Sequence, residues 1–194
     1  MVGRRRVLAA AGATLGGALA GCSTTDETPT PAALRYSVEG FTDGTVPVRN
    51  SCDGAGVSPR IEVDAVPPPT ESLAVVFTFP DDVGSQVTLW TLWNVPPDTS
   101  TISAELPATR RVESLDGARQ GRNARGDVGY LPVCPPPGQP YEQWLTLYAC
   151  RRELDVEAGA ERDPLAEALE TATLASRRTV ATYERRSSTN TTSS

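Results

Sequence analysis

Histidine is absent from all 194 residues, and so is lysine, since each of the 18 basic residues is an arginine. Losing imidazole removes Ser-His-Asp and Cys-His catalysis, the usual general base near neutral pH, and every zinc site that needs a His ligand. The four cysteines include no C-x-x-C pair, so a thiolate zinc site is not indicated. No G-x-x-x-x-G-K-[ST] phosphate loop occurs. Asp81-Asp82 is a candidate carboxylate pair, but adjacent residues at a strand end point in different directions, whereas acid/base work needs two carboxyls converging on one bond. These absences close most enzymatic readings and leave no cofactor or metal indicated.

The N-terminus carries an export pattern. Arg4-Arg5-Arg6 precedes the uncharged stretch Val7 to Ala20, which ends in Leu19-Ala20-Gly21-Cys22. This reads as a twin-arginine signal over residues 1–21 with a lipobox. The 14-residue apolar stretch is short of the ~20 residues that cross a hydrocarbon core. Cleavage before Cys22 and lipid attachment there are expected, with the protein held at the extracytoplasmic face of the cell membrane. Two acyl chains on Cys22 anchor stably where one does not. Residues 22–32, rich in Thr, Asp, Glu and Pro, form a polar tether.

Without residues 1–21 the chain keeps 15 Arg against 24 Asp and Glu, a net charge of −9. An acidic, lysine-free surface stays soluble by self-repulsion and suits high salt, as in halophilic archaea. It also argues against nucleic acid as a partner, because neutralising phosphates takes a basic face. The remaining length fits one domain over residues 33–186, followed by a Ser/Thr-rich tail at 187–194 in which Asn190 is a possible glycan acceptor.

Short strands dominate the pattern. Leu34 to Val38 and Arg60 to Val63 alternate like half-buried strands. Leu73 to Phe79 is almost continuously apolar, as in a central strand covered on both faces, and Val87 to Val95 extends that core. Pro and Gly clusters punctuate the gaps, which implies a β-sandwich. One helix is expected from Asp163 to about Leu174, with Asp163 as N-cap, Pro164 at the first helical position, and Leu165, Ala168, Leu169 and Ala172 on one face. Thr179 to Glu184 reads as the last strand.

Four stretches occur in a telling order: Ser51-Cys52-Asp53-Gly54, Phe79-Pro80-Asp81, Leu89 to Pro96, and Gly129-Tyr130 running on to Cys134-Pro135-Pro136, closed by Leu147-Tyr148-Ala149. Together they resemble the phosphatidylethanolamine-binding protein family, in its Raf-kinase-inhibitor-like branch of bacteria and archaea. The resemblance spans about Val38 to Tyr183. It implies an all-β, two-sheet antiparallel Greek-key sandwich with one C-terminal helix, and a small anion pocket at one end that accepts phosphate-like groups. In the family that pocket is built from D-P-D, a His-Trp pair, G-Y-x-G-P-C-P-P and H-R-Y. Here the first acid is Phe79 while Asp81 matches the second, and the histidine before Trp90 is Leu89. The turn keeps Gly129, Tyr130 and Cys134, but Pro132-Val133 replaces Gly-Pro, and H-R-Y reads Tyr141-Glu142-Gln143.

The pocket residues implied are Phe79, Asp81, Leu89, Trp90, Tyr130, Cys134 and Tyr141. Phosphate in a partly dry pocket needs charge-assisted donors, each worth about 1.5–3 kcal/mol, and Leu89 and Phe79 supply none. Tyr130 and Tyr141 are the expected hydroxyl donors. The expectation is therefore a non-catalytic binding or inhibitor-like module with a degenerate anion pocket, whose partner is an unidentified small ligand or protein. The alternative is a hydrolase or transferase using Asp81 and a pocket tyrosine. With Cys22 lipidated, at most one disulfide can form among Cys52, Cys134 and Cys150, and the resemblance brings Cys52 and Cys134 to the same end of the fold. Cys150 then reads as a small buried apolar residue. Trp90, Trp93 and Trp144 read mainly as core, with Trp90 also at the pocket. Arg110, Arg111, Arg119, Arg122 and Arg125 face only Glu113 and Asp116 in their stretch; a solvated loop is the plainer reading, and steering of an acidic partner the sharper one.

Overall fold

A computed structural model describes residues 33–41, 43–80 and 86–186. The signal segment, Cys22 and the tether, Asp81-Asp82, and the 187–194 tail with Asn190 lie outside those residues. Nine strands and one helix occur among the described residues. In chain order they are β1 (Arg35–Val38), β2 (Ile61–Ala65), β3 (Ser72–Pro80), β4 (Gln86–Val95), β5 (Thr101–Ile102), β6 (Arg111–Val112), β7 (Ala118–Gln120), β8 (Pro140–Cys150), α1 (Arg162–Ala172) and β9 (Thr173–Glu184). They form a three-stranded sheet ordered β1-β2-β5 and a six-stranded sheet ordered β6-β7-β4-β3-β8-β9, with every named pairing antiparallel.

The apolar run of β3 places it in the middle of the large sheet, between β4 and β8. Its Leu73, Val75 and Phe77 face the small sheet and pack with Tyr36, Val38, Ile61 and Ile102 in the main core. Ala74, on the opposite face, packs with Trp93, Cys150 and the helix residues Leu165, Leu169 and Ala172 in a second core. The continuous apolar pattern thus follows from burial on both faces. Cys150 is unpaired and fully buried, and burial pushes its thiol up to about 11.

The helix begins earlier than its sequence pattern suggests. Glu161 occupies the N-cap without a side-chain cap bond, and Asp163 lies inside the first turn with an exposed carboxylate. Pro164 is compatible with the third helical position because the first four N–H groups of a helix have no intrahelical acceptor anyway. At the other end Thr173 is extended (φ −67°, ψ 126°), its hydroxyl donates to the Leu169 carbonyl at 2.7 Å, and the chain passes directly into β9. That strand starts six residues before the expected Thr179, because Ala175 to Arg178 pairs in register with Thr146 to Ala149 of β8. Beyond it, Gly44 to Val46 runs parallel to the end of β9: Val46 N–H donates to Thr182 and Thr182 N–H donates to Gly44, both at 2.8 Å.

Two irregularities in β4 decide what faces where. Phe77 is opposite Trp90 while Thr78 is opposite Thr88, so Leu89 is an extra residue in the ladder. A β-bulge breaks the period-two alternation locally, and Leu89 and Trp90 consequently both join the main core. Asn94 is the second extra residue, in the left-handed region at φ 57°. Its side-chain amide donates to the Leu154 carbonyl at 3.1 Å and accepts from the Leu154 N–H at 2.8 Å, fastening the loop after β8 to the sheet.

Candidate functional site

At the end of the sandwich where β3 and β4 meet, a cavity of about 240 Å³ opens between the sheet and the segment Leu131 to Pro136. Phe79, Val87 and Leu89 form its sheet side; Leu131, Pro132, Cys134, Pro135 and Pro136 form the opposite side, with Gln143 of β8 and Arg125 completing the lining. The Leu131 N–H donates to the Leu89 carbonyl at 2.8 Å, which makes the bulge the point where the 131–136 segment attaches. Val133 pairs in parallel with Ser51: its N–H donates to the Asn50 carbonyl and its carbonyl accepts from the Cys52 N–H, both at 3.1 Å. Cys52 and Cys134 are joined as a disulfide with Cα atoms 5.4 Å apart. Asp53 then accepts from Tyr183 Oη at 2.9 Å and from Arg185 Nε at 3.1 Å, and these bonds hold its carboxyl below the usual range. Three distant parts of the chain are thereby fastened around one rim.

The residues expected in the pocket divide into walls and backing. Phe79, Leu89 and Cys134 line the cavity. Tyr141 stands beside it, its ring edge-on to Phe79 at 5.4 Å, with its hydroxyl accepting from Gln139 Nε2 at 2.7 Å. Asp81 lies outside the described residues. Trp90 and Tyr130 do not line the cavity. The bulge turns Trp90 into the core at zero exposure, where its indole N–H donates to Gln120 Oε1 at 2.7 Å, and Tyr130 packs edge-on against it at 6.1 Å. The Tyr130 hydroxyl donates to the Asn50 carbonyl at 2.6 Å, and burial raises its pKa. It is a structural tie between the two rim segments, not a donor to a ligand. Gly129, which leads into it at φ 98°, sits where an added Cβ would lie 3.2 Å from Ala108 Cα, so this position favours glycine.

Arg125 lines the cavity but lies outside the matched motifs. It belongs to the tight turn Arg122 to Asp127: Asn123 Oδ1 accepts from the Arg125 N–H at 2.9 Å, Ala124 N–H donates to Thr88 of β4 at 2.9 Å, and Asn123 Nδ2 donates to Gly129 at 3.2 Å. The Asx turn sets Arg125 over the cavity. The signal lay in the Gly-Arg-Asn-Ala-Arg-Gly composition just before Gly129-Tyr130. Other arginines of the basic stretch are engaged elsewhere: Arg110 contacts the Ala158 carbonyl, Arg119 donates to Val156 at 2.6 Å, and Arg122 donates to Gly126 within the turn. Of the remaining tryptophans, Trp93 is fully buried, while Trp144 is half-buried on the outer sheet face beneath the Arg178 guanidinium at 4.4 Å. Among the described residues no group of three or more acids or cysteines is placed to hold a metal ion.

A two-sheet sandwich with a terminal cavity framed by the Phe-Pro, Leu-Trp and Gly-Tyr…Cys-Pro-Pro segments has the architecture of the phosphatidylethanolamine-binding class. The family description "Phosphatidylethanolamine-binding protein" matches residues 37–184. A UPF0098 protein of Methanothermobacter thermautotrophicus is 34% identical over 153 residues, covering 78% of this chain and 99% of that protein. A UPF0098 protein of Chlamydia muridarum is 32% identical, with the same two coverages. Among solved structures, Escherichia coli YbcL, described as a new member of the mammalian PEBP family, matches with a TM-score of 0.70 at 25% identity, covering 79% of this chain and 99% of its own. A putative phosphatidylethanolamine-binding protein homologue of Chlamydia trachomatis matches at 0.69 and 27% identity, covering 79% and 98%. The chain belongs to the phosphatidylethanolamine-binding protein family.

Proposed function

We propose that this chain is a non-catalytic binding module of the Raf-kinase-inhibitor-like branch, in which an apolar pocket has replaced the family's oxyanion cradle. The observation that supports this most is the lining itself. The described residues around the cavity include one cation, Arg125, and no carboxylate or imidazole, with Phe79 and Leu89 standing where the resemblance places an acid and a histidine. Desolvating phosphate there would be offset by too few charge-assisted donors. The export pattern, lipobox and acidic composition support a lipid on Cys22, a halophilic setting and a place at the extracytoplasmic membrane face; the mass of the protein purified from membranes tests the lipid. An unidentified small ligand or protein is the partner, and no nucleic acid is expected. The alternative, a hydrolase or transferase using Asp81 and a pocket tyrosine, loses Tyr130 as a candidate because its hydroxyl is tied to the Asn50 carbonyl and burial raises its pKa, which leaves Tyr141 beside Phe79 as the tyrosine such a reading would need. Calorimetric titration with phosphate and phosphoethanolamine at matched ionic strength tests the reading: heats indistinguishable from dilution are expected, and saturable binding localised at Leu89 and Leu131 by NMR overturns it.

A further inference from the structure

We propose that the cavity binds a small apolar monocarboxylate, its hydrocarbon end between Phe79, Leu89 and Leu131 and its carboxylate at Arg125. The inference rests on the reading above and names the ligand class of the same site. Its basis is the separation of apolar and charged surface. The walls are aliphatic, aromatic and proline, and the buried polar side chain among them, Gln143, is 1% exposed and carries no charge. The cationic group lies at one place, on an exposed turn residue whose backbone is fixed by Asn123 and, through Ala124, by Thr88. A ligand that entered anion-first would meet hydrocarbon, whereas one entering hydrocarbon-first leaves its anion at the guanidinium.

The neighbourhood of Arg125 favours an anion over a neutral head group. Among the described residues no Asp or Glu oxygen lies within 4.0 Å of its guanidinium. Arg125 also lines an adjoining shallow depression at the start of α1 together with Arg122 and Arg162, which face Glu161 and Asp163 there. Among the described residues lining this depression, three cations stand against two carboxylates. A guanidinium binds a carboxylate in the plane of its fork through two parallel hydrogen bonds, a geometry a single alcohol oxygen does not provide. The small volume restricts the hydrocarbon to a short or medium chain or a single ring.

Straight-chain carboxylates from butanoate to octanoate, titrated into the protein at constant ionic strength, test this. Each added methylene is expected to tighten binding about 4-fold (about 0.8 kcal/mol each) until the cavity is full, after which the series levels off. In Arg125→Gln the carboxylate affinity falls about 10-fold while 1-octanol binds as before, and raising the salt weakens the wild type towards the variant. The exposed turn position makes this variant safe for folding, and NMR shifts at Leu89 and Leu131 report occupancy independently. Octanoate binding no better than butanoate, Arg125→Gln leaving carboxylate affinity unchanged, or shifts confined to other surfaces would each overturn the proposal. If carboxylates and phosphate both fail to bind, only this inference falls. If phosphate binds saturably in the cavity, the functional reading falls with it.

Discussion

Replacing Gln120 by Leu removes the polar hub behind the cavity. The side chain is 1% exposed and makes three hydrogen bonds: Oε1 accepts from Trp90 Nε1 at 2.7 Å, while Nε2 donates to Pro107 at 2.8 Å and Thr109 at 2.9 Å. Without it the indole N–H stays buried with no acceptor, which costs about 1–3 kcal/mol. Pro107 and Thr109 are exposed residues, so their carbonyls can return to water and each lost bond costs only about 0.5–1.5 kcal/mol. Gln120→Leu should therefore lose about 2–6 kcal/mol in urea unfolding followed by circular dichroism. Trp90→Phe in the same background removes the orphaned N–H, and the double variant should be more stable than the sum of the single losses by about 1–3 kcal/mol. A loss below about 1 kcal/mol for Gln120→Leu, or strict additivity with Trp90→Phe, would refute the assignment of Gln120 as the partner that permits an indole at this depth.

Three further outcomes follow from the fold. Removing the disulfide as Cys52→Ala with Cys134→Ala releases a cross-link spanning 82 residues and should cost about 2–4 kcal/mol by denaturant titration. The Cys150 thiol, buried and raised to about 11, should resist iodoacetamide at pH 8 in the native protein and react on unfolding, which peptide mass mapping at that residue reads directly. Asp53 has a folded-state pKa below its unfolded value, so its stabilisation is fully present above about pH 4 and is lost as pH falls through the lower, folded value. Asp53→Asn should accordingly lower stability at pH 7 and flatten the stability profile below pH 4; an unchanged acid limb contradicts the Tyr183 and Arg185 contacts.

The parts of this molecule that depend on short-range pattern were legible in the sequence. The buried run Leu73 to Phe79 reads as a central strand because both faces are covered, and it is one. The motifs locate the end of the fold where Phe79, Leu89 and Cys134 line a cavity, but not the inward turn of Trp90 or the backing position of Tyr130. What escaped depends on register. A one-residue bulge has no compositional mark when the extra residue is a leucine, yet it is what sends Trp90 inward and makes Leu89 the anchor for Leu131. Asn94 could have been noticed, since asparagine tolerates left-handed backbone, but its partner Leu154 is 60 residues away. Arg125 stands among five arginines, and although the Gly-Arg-Asn-Ala-Arg-Gly stretch places it close to the Gly129-Tyr130 turn, that stretch does not separate it from Arg122, which is bonded to the Gly126 carbonyl. The early start of β9 escaped because Ser176, Arg177 and Arg178 carry no apolar period; their strand is set by pairing with β8.

The parallel contact between Gly44–Val46 and Thr182 also orders events during synthesis. The stretch that leads into the cavity's first rim segment leaves the ribosome early, but its backbone partner is among the last strand residues to emerge. The partners of β3 in the sheet, β4 and β8, both precede residue 182 in the chain, whereas this clasp cannot close until translation has passed that residue. Closure of the clasp is thereby coupled to synthesis of β9, and chains that stop short of residue 182 leave the Val46 amide without its strand partner.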